Sequence, residues 1–132
     1  MELNEYQKKA MTTCMESSNN FSYMFLNLVG EVGEFASKIA KAIRKEQMQI
    51  GGIVDMGTSS KNDLVFNEFT TCVEQEQELM KEAGDILWQL SGVCSVMGWS
   101  LEDIAQMNLD KLAARKAVGT IDGNGDGIIR EK

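Results

Sequence analysis

The chain has 132 residues, 43% of them hydrophobic, a formal net charge of −7 and a sequence pI of about 4.6. That length is the size of one domain, and the apolar fraction excludes disorder as the default state. Without a basic tract, an acidic chain is a poor nucleic-acid binder; no apolar run reaches the roughly 18 residues of a membrane span, and Met1–Glu5 shows no signal-peptide pattern.

The absence of histidine removes Ser–His and Cys–His nucleophile pairs, His-ligated zinc and any imidazole base. The absence of proline leaves helices free of that interruption. Cys14, Cys72 and Cys94 fit neither a disulfide framework nor a zinc motif. Each lies in a helix-like stretch and is expected to be a buried free thiol, in keeping with a reducing cytoplasm.

Residues 3–18 carry Tyr6, Ala10, Thr13 and Cys14 at helical spacing, and the Ser-Ser-Asn-Asn run at 17–20 ends that helix and can cap the next. Residues 22–45 place Leu28, Val32, Phe35, Ala36, Ile39 and Ile43 in one apolar stripe. Gly51, Gly52, Gly57 and the Thr-Ser-Ser run at 58–60 then break the pattern, so 47–62 is expected to be a loop or insertion. A helix is expected to restart near Asp63 and continue through the acidic, glutamine-rich run 74–78. A third strong stripe comprises Leu79, Ala83, Ile86, Leu87, Leu90, Cys94 and Met97, stopped by Gly98. Ser100 caps a fourth helix carrying Leu101, Ile104, Ala105, Leu109 and Leu112 toward Gly119, after which the glycine-rich tail 119–132 is irregular. No alternating pattern announces a strand. The expectation is a single all-α domain over 1–132, a bundle of four to five helices with an insertion near 47–78.

An internal echo is the most informative feature. Glu31-Val32-Gly33-Glu34 matches Glu82-Ala83-Gly84-Asp85 at a constant offset, and the flanks match too: Leu28 with Leu79, Ile39 with Leu90, Ile43 with Cys94. Carboxylates three apart share one side of a helix, their Cβ atoms roughly 5–6 Å apart. Antiparallel packing of the two stripes would bring four carboxylates around one small volume, which is costly without a cation. An all-oxygen set suits magnesium first and manganese second. A glycine inside a helix costs roughly 1 kcal/mol relative to alanine, so Gly33 and Gly84 suggest a close approach by a helix, metal or ligand. The bland alternative is acids paired with lysines across helices, and Lys38, four residues after Glu34, keeps it open.

These residues resemble the MazG-like family of all-α nucleotide pyrophosphohydrolases, whose pattern is E-x-x-E on one helix and E-x-x-D on a later one. The resemblance extends to Glu5-Tyr6-Gln7, to Ser100-Leu101-Glu102-Asp103-Ile104-Ala105, to the run from Asn108 to Arg115, and to the tail from Gly119 to Asp126. It implies that Glu31, Glu34, Glu82 and Asp85 hold Mg²⁺, or Mn²⁺, with one of them orienting or deprotonating the attacking water. It further implies that Asn108, Lys111 and Arg115 bind the phosphates of a nucleoside triphosphate, and that NTP or dNTP is split to monophosphate and pyrophosphate. A homodimer or homotetramer completing the bundle is implied too, and the broad apolar faces of the helices agree. Three departures stand out: the long gap between Glu34 and Glu82, Gln89 where many members have tyrosine, and Arg130 as an inexact equivalent of the arginine in the family's tail. The run Asp122-Gly123-Asn124-Gly125-Asp126-Gly127 imitates a calcium loop. Its twelfth ligand position would fall at 133, so calcium binding is not expected. Rival readings are a nucleotide-binding relative without turnover and a helical interaction protein with solvated acids.

Overall fold

The computed structural model of the chain describes residues 1–46, 48–50, 53–55, 64–66, 69–71 and 73–121. Four α-helices dominate them: α1 (Leu3–Met11), α2 (Phe21–Arg44), α3 (Val73–Val96) and α4 (Leu101–Ala117). The architecture is all-α, as its sequence implies.

Local chemistry sets the helix ends. α1 is shorter than its spacing suggests. The Thr12 and Thr13 hydroxyls donate back to the carbonyls of Lys9 at 2.6 Å and Ala10 at 2.7 Å, and the chain goes on to a 3₁₀ turn, Glu16–Ser18. Cys14 follows the helix and is only half-buried, so the expected buried thiol is not found there; Cys94 is buried, and Cys72 lies outside the described residues. The Asn20 side chain caps α2 by accepting from the Tyr23 amide at 2.8 Å. Gly98 ends α3 at φ 73°, where the Trp99 amide reaches the Cys94 carbonyl and the Gly98 amide reaches that of Ser95. Gly119 repeats this closure after α4. Ser100 accepts from the Asp103 amide as the α4 cap.

The inserted stretch departs from expectation. In place of a loop followed by a helix from Asp63, it contains β1 (Met48–Ile50), β2 (Ile53–Asp55), β3 (Leu64–Phe66) and β4 (Phe69–Thr71). β1 pairs antiparallel with β4, and β2 with β3. Ile50 of β1 is the register partner of Phe69 in β4, and Ile53 of β2 that of Phe66 in β3. Ile, Val, Phe and Thr in this stretch favour extended backbone. Three-residue strands, however, are too short to display a period. The acidic run 74–78 is helical, as part of α3.

Contacts divide the chain into two compact units, Phe25–Gln89 and Met1–Met24 with Leu90–Lys132. Within Phe25–Gln89, α2 meets α3 along a thin seam in which Ala42 and Leu79 are buried against Phe35 and Ile39. Much of each expected stripe lies outside such a seam: Val32, Ala36 and Ile43 on α2, and Ala83, Leu87 and Leu90 on α3, are exposed. The inward line of α3 instead runs through Leu79, Glu82, Ile86 and Gln89, two of them polar.

In the other unit, Met24, Cys94 and Leu101 form the buried apolar set. Burying a side chain such as Met24 is worth roughly 1.5–3 kcal/mol. Gly92 makes room for it, since a Cβ there would stand 2.8 Å from Met24 Cε. α1 packs on α4, and the buried Gln7 ties the turn between α3 and α4. Its Nε2 donates to Ser95 Oγ at 3.1 Å and to the Trp99 carbonyl at 2.9 Å, while its Oε1 accepts from the Leu101 amide, a helix-start donor, at 2.9 Å. Gln7→Leu leaves those groups unpaired. At about 1–3 kcal/mol for each buried orphan, it should lower stability by about 2 kcal/mol or more in urea denaturation, with the m-value unchanged.

Candidate functional site

α2 carries Glu31 and Glu34, and α3 carries Glu82 and Asp85. Glu31 occupies an inward position between Leu28 and Phe35, and Glu82 lies between Leu79 and Ile86; all six are buried or half-buried. Glu34 and Asp85, three residues later on each helix, are exposed. Packing the two inward lines together brings one carboxylate oxygen from each of Glu31, Glu34 and Glu82 within 4.8 Å of the others. The Asp85 oxygens are not part of that cluster, yet the charge of Asp85 is the carboxylate felt most strongly by Glu31.

The electrostatics follow from this crowding. Burial pushes the Glu31 carboxyl up from its ordinary value of 4.5, and the charges of Asp85, Glu34 and Glu82 push it further; a hydrogen bond from Asn27 opposes them. Asn27 Nδ2 donates to Glu31 Oε1 at 3.4 Å and to Gln89 Oε1 at 2.8 Å. Gln89 is 1% exposed. Lys38 Nζ forms an ion pair with Glu82 Oε1 across the two helices. That hydrogen bond, with the nearby charges of Glu82, Glu34 and Glu78, holds the ammonium pKa above its usual value of 10.5.

The donor set fits a hard divalent cation. Octahedral magnesium places its oxygens roughly 2.0–2.1 Å from the metal and hence roughly 3–4 Å apart. The three carboxylates, within 4.8 Å of one another, therefore need at most about 2 Å of closure. Gly33 and Gly84 have nothing within 4 Å of an added Cβ, so no neighbouring helix requires them. The space beside each acidic pair is open.

Asn108, Lys111 and Arg115 lie on α4 and are not among the clustered groups. Asn108 and Lys111 are exposed; Arg115 is half-buried, and its Nε has no hydrogen-bond partner. Arg130 and residues 122–127, the calcium-like run, lie outside the described residues. Sequence reasoning missed Asn27, although its position four residues before Glu31 is a spacing at which side chains meet on a helix. Lys38 was visible only as a possible neutraliser.

Two packed helices thus carry an E-x-x-E and an E-x-x-D motif, the pattern that the sequence shares with the family it resembles. The sequence model of the MazG nucleotide pyrophosphohydrolase domain matches residues 19–119, and the chain belongs to that family. It is 30% identical over 111 residues to the Gene 37 protein of Mycobacterium phage L5, a match covering 84% of this chain and 79% of that protein. No solved structure matches the chain significantly.

The raised Glu31 pKa sets a pH dependence. The folded protein holds that proton more tightly than the unfolded chain does, so the stability it contributes is present below the unfolded value and lost as pH rises through the folded one. In EDTA, the melting temperature of Glu31→Gln should gain on that of wild type as pH rises from about 4.5 toward neutrality. A gap that stays constant with pH would contradict this assignment.

Proposed function

We propose that the chain is a Mg²⁺-dependent nucleoside triphosphate pyrophosphohydrolase, with Mn²⁺ as a substitute, releasing monophosphate and pyrophosphate from an NTP or dNTP. The observation that carries the reading is the convergence of the Glu31, Glu34 and Glu82 oxygens in a chain of the MazG family.

Glu31, Glu34, Glu82 and Asp85 are the residues proposed to hold the metal. When bound, magnesium supplies a Lewis acid that polarises phosphoryl oxygens and lowers the pKa of a coordinated water. Asp85, whose oxygens stand outside the cluster, is available to orient the attacking water and take its proton. The water oxygen bonds to the α-phosphorus, the α–β anhydride bond breaks, and pyrophosphate leaves with the bond's electron pair. Lys111 and Arg115 would offset the charge gathering on it, and Asn108 would hydrogen-bond a phosphate oxygen.

One observation favours a rival. The Lys38–Glu82 pair partly neutralises the acids without any metal, as in a helical protein that binds nucleotide without turnover or binds none. A nucleotide panel with magnesium separates the readings. Monophosphate and pyrophosphate should appear from at least one nucleotide, and Glu34→Gln and Asp85→Asn should each lower the rate by at least ~100-fold with helicity retained. A folded wild type that yields no product from any nucleotide removes the enzyme reading. Magnesium that leaves the melting temperature unmoved removes the metal site as well.

A homodimer or homotetramer is proposed on the exposed apolar line of α2, where Val29 is 60%, Val32 48% and Ile43 44% exposed, with Ala36 and Ala40 between them. These five positions share one helix face, and a contiguous exposed apolar line marks an interaction surface. Val29→Glu with Ile43→Glu should shift sedimentation to the monomer. If wild type already sediments as a monomer, the proposal fails.

A further inference from the structure

Lys38 sits at the candidate metal centre, and the reaction outlined above gives it no role. It lies one helical turn after Glu34 on α2, and its ammonium reaches across to Glu82 on α3. The two partners differ in freedom: the Glu82 side chain is 9% exposed, that of Lys38 41%. Glu82 is buried on the inward line of α3, whereas Lys38 can swing its flexible four-carbon stem into water at little cost.

Without Lys38, a buried carboxylate would stand unpaired beside Glu31 and Glu34. Removing one member of such a pair leaves an uncompensated charge, which destabilises strongly. An ammonium and a divalent cation at this spot meet the same need, to neutralise the crowded acids. Both draw on the field of the same carboxylates, so the presence of one weakens the binding of the other.

We propose that Lys38 is a built-in counter-ion of the acidic cluster, pairing with Glu82 in the metal-free protein and swinging out when a divalent cation binds. The inference rests on the metal site proposed above. It makes Lys38 a residue that sets metal affinity: the lysine keeps the empty site folded and weakens metal binding in return.

The test is titration of the metal-free protein with Mn²⁺ alone, without nucleotide, followed by calorimetry and by the melting temperature. Lys38→Met should melt lower than wild type in EDTA, bind Mn²⁺ more tightly by about tenfold, and gain more melting temperature on saturation. Lys38→Arg, which keeps the charge, should resemble wild type in affinity. If Lys38→Met does not fold without metal, recovery of its helicity by Mn²⁺ supports the proposal. If it does not fold with metal either, Lys38→Gln carries the same comparison. An unchanged or weaker Mn²⁺ affinity in the uncharged variant, with wild type binding normally, overturns the counter-ion role alone. Failure of both wild type and variant to bind Mn²⁺ overturns the metal site together with it.

Discussion

Like-charge crowding between α2 and α3 is the constraint around which the central unit is arranged. The apolar seam that joins these helices is thin, with Ala42 and Leu79 buried against Phe35 and Ile39. Immediately along the same inward lines come Glu31 and Glu82, where a helix built for stability alone would carry leucine. Their mutual repulsion, and that of Glu34 and Asp85, raises the Glu31 pKa after burial has already done so. Asn27 and Lys38 counter that cost, the first by donating to Glu31 and the second by pairing with Glu82. A chain that keeps such a cluster at the expense of its own packing reads as one that uses it.

Gln89, Asn27 and Glu31 form a connected polar set in this unit. Gln89 accepts from Asn27, and Asn27 donates to Glu31, so the orientation of one acidic side chain is tied to a glutamine that is 1% exposed. Polar groups buried this deeply are tolerated because their hydrogen bonds are made within the helix pair. Gln7 does the comparable job in the other unit, where one amide side chain satisfies groups at the α3–α4 turn that neither helix can reach. Among the described residues, no helix is long and apolar enough to cross a membrane.

Family membership and the departures from the family pattern have separate physical sources. The acid pairs and their apolar frames lie on α2 and α3, within the residues 19–119 that the MazG model matches. Between Glu34 and Glu82 lie the four short strands β1 to β4 and the first turns of α3. The seam residues that flank this stretch, Ala42 and Leu79, pack together.

Much of this was legible in the residues themselves. Asn20, Ser100, Gly98 and Gly119 act locally, through side-chain caps or positive φ, so their neighbours in sequence suffice to place the helix ends. The twin acid motifs were legible because helical spacing turns sequence distance into a shared face. The tertiary structure decided what spacing leaves open. A rotation of each helix about its axis put Glu82 and Gln89 inward and Ala83 and Leu90 outward, since the side a helix buries depends on what packs against it. The strands within 48–71 form by pairing with one another, a non-local bond that no single three-residue run can announce. For the same reason, the sequence could name Lys38 as a possible neutraliser but not its partner: Glu82 lies on another helix, and only folding brings the two charges together.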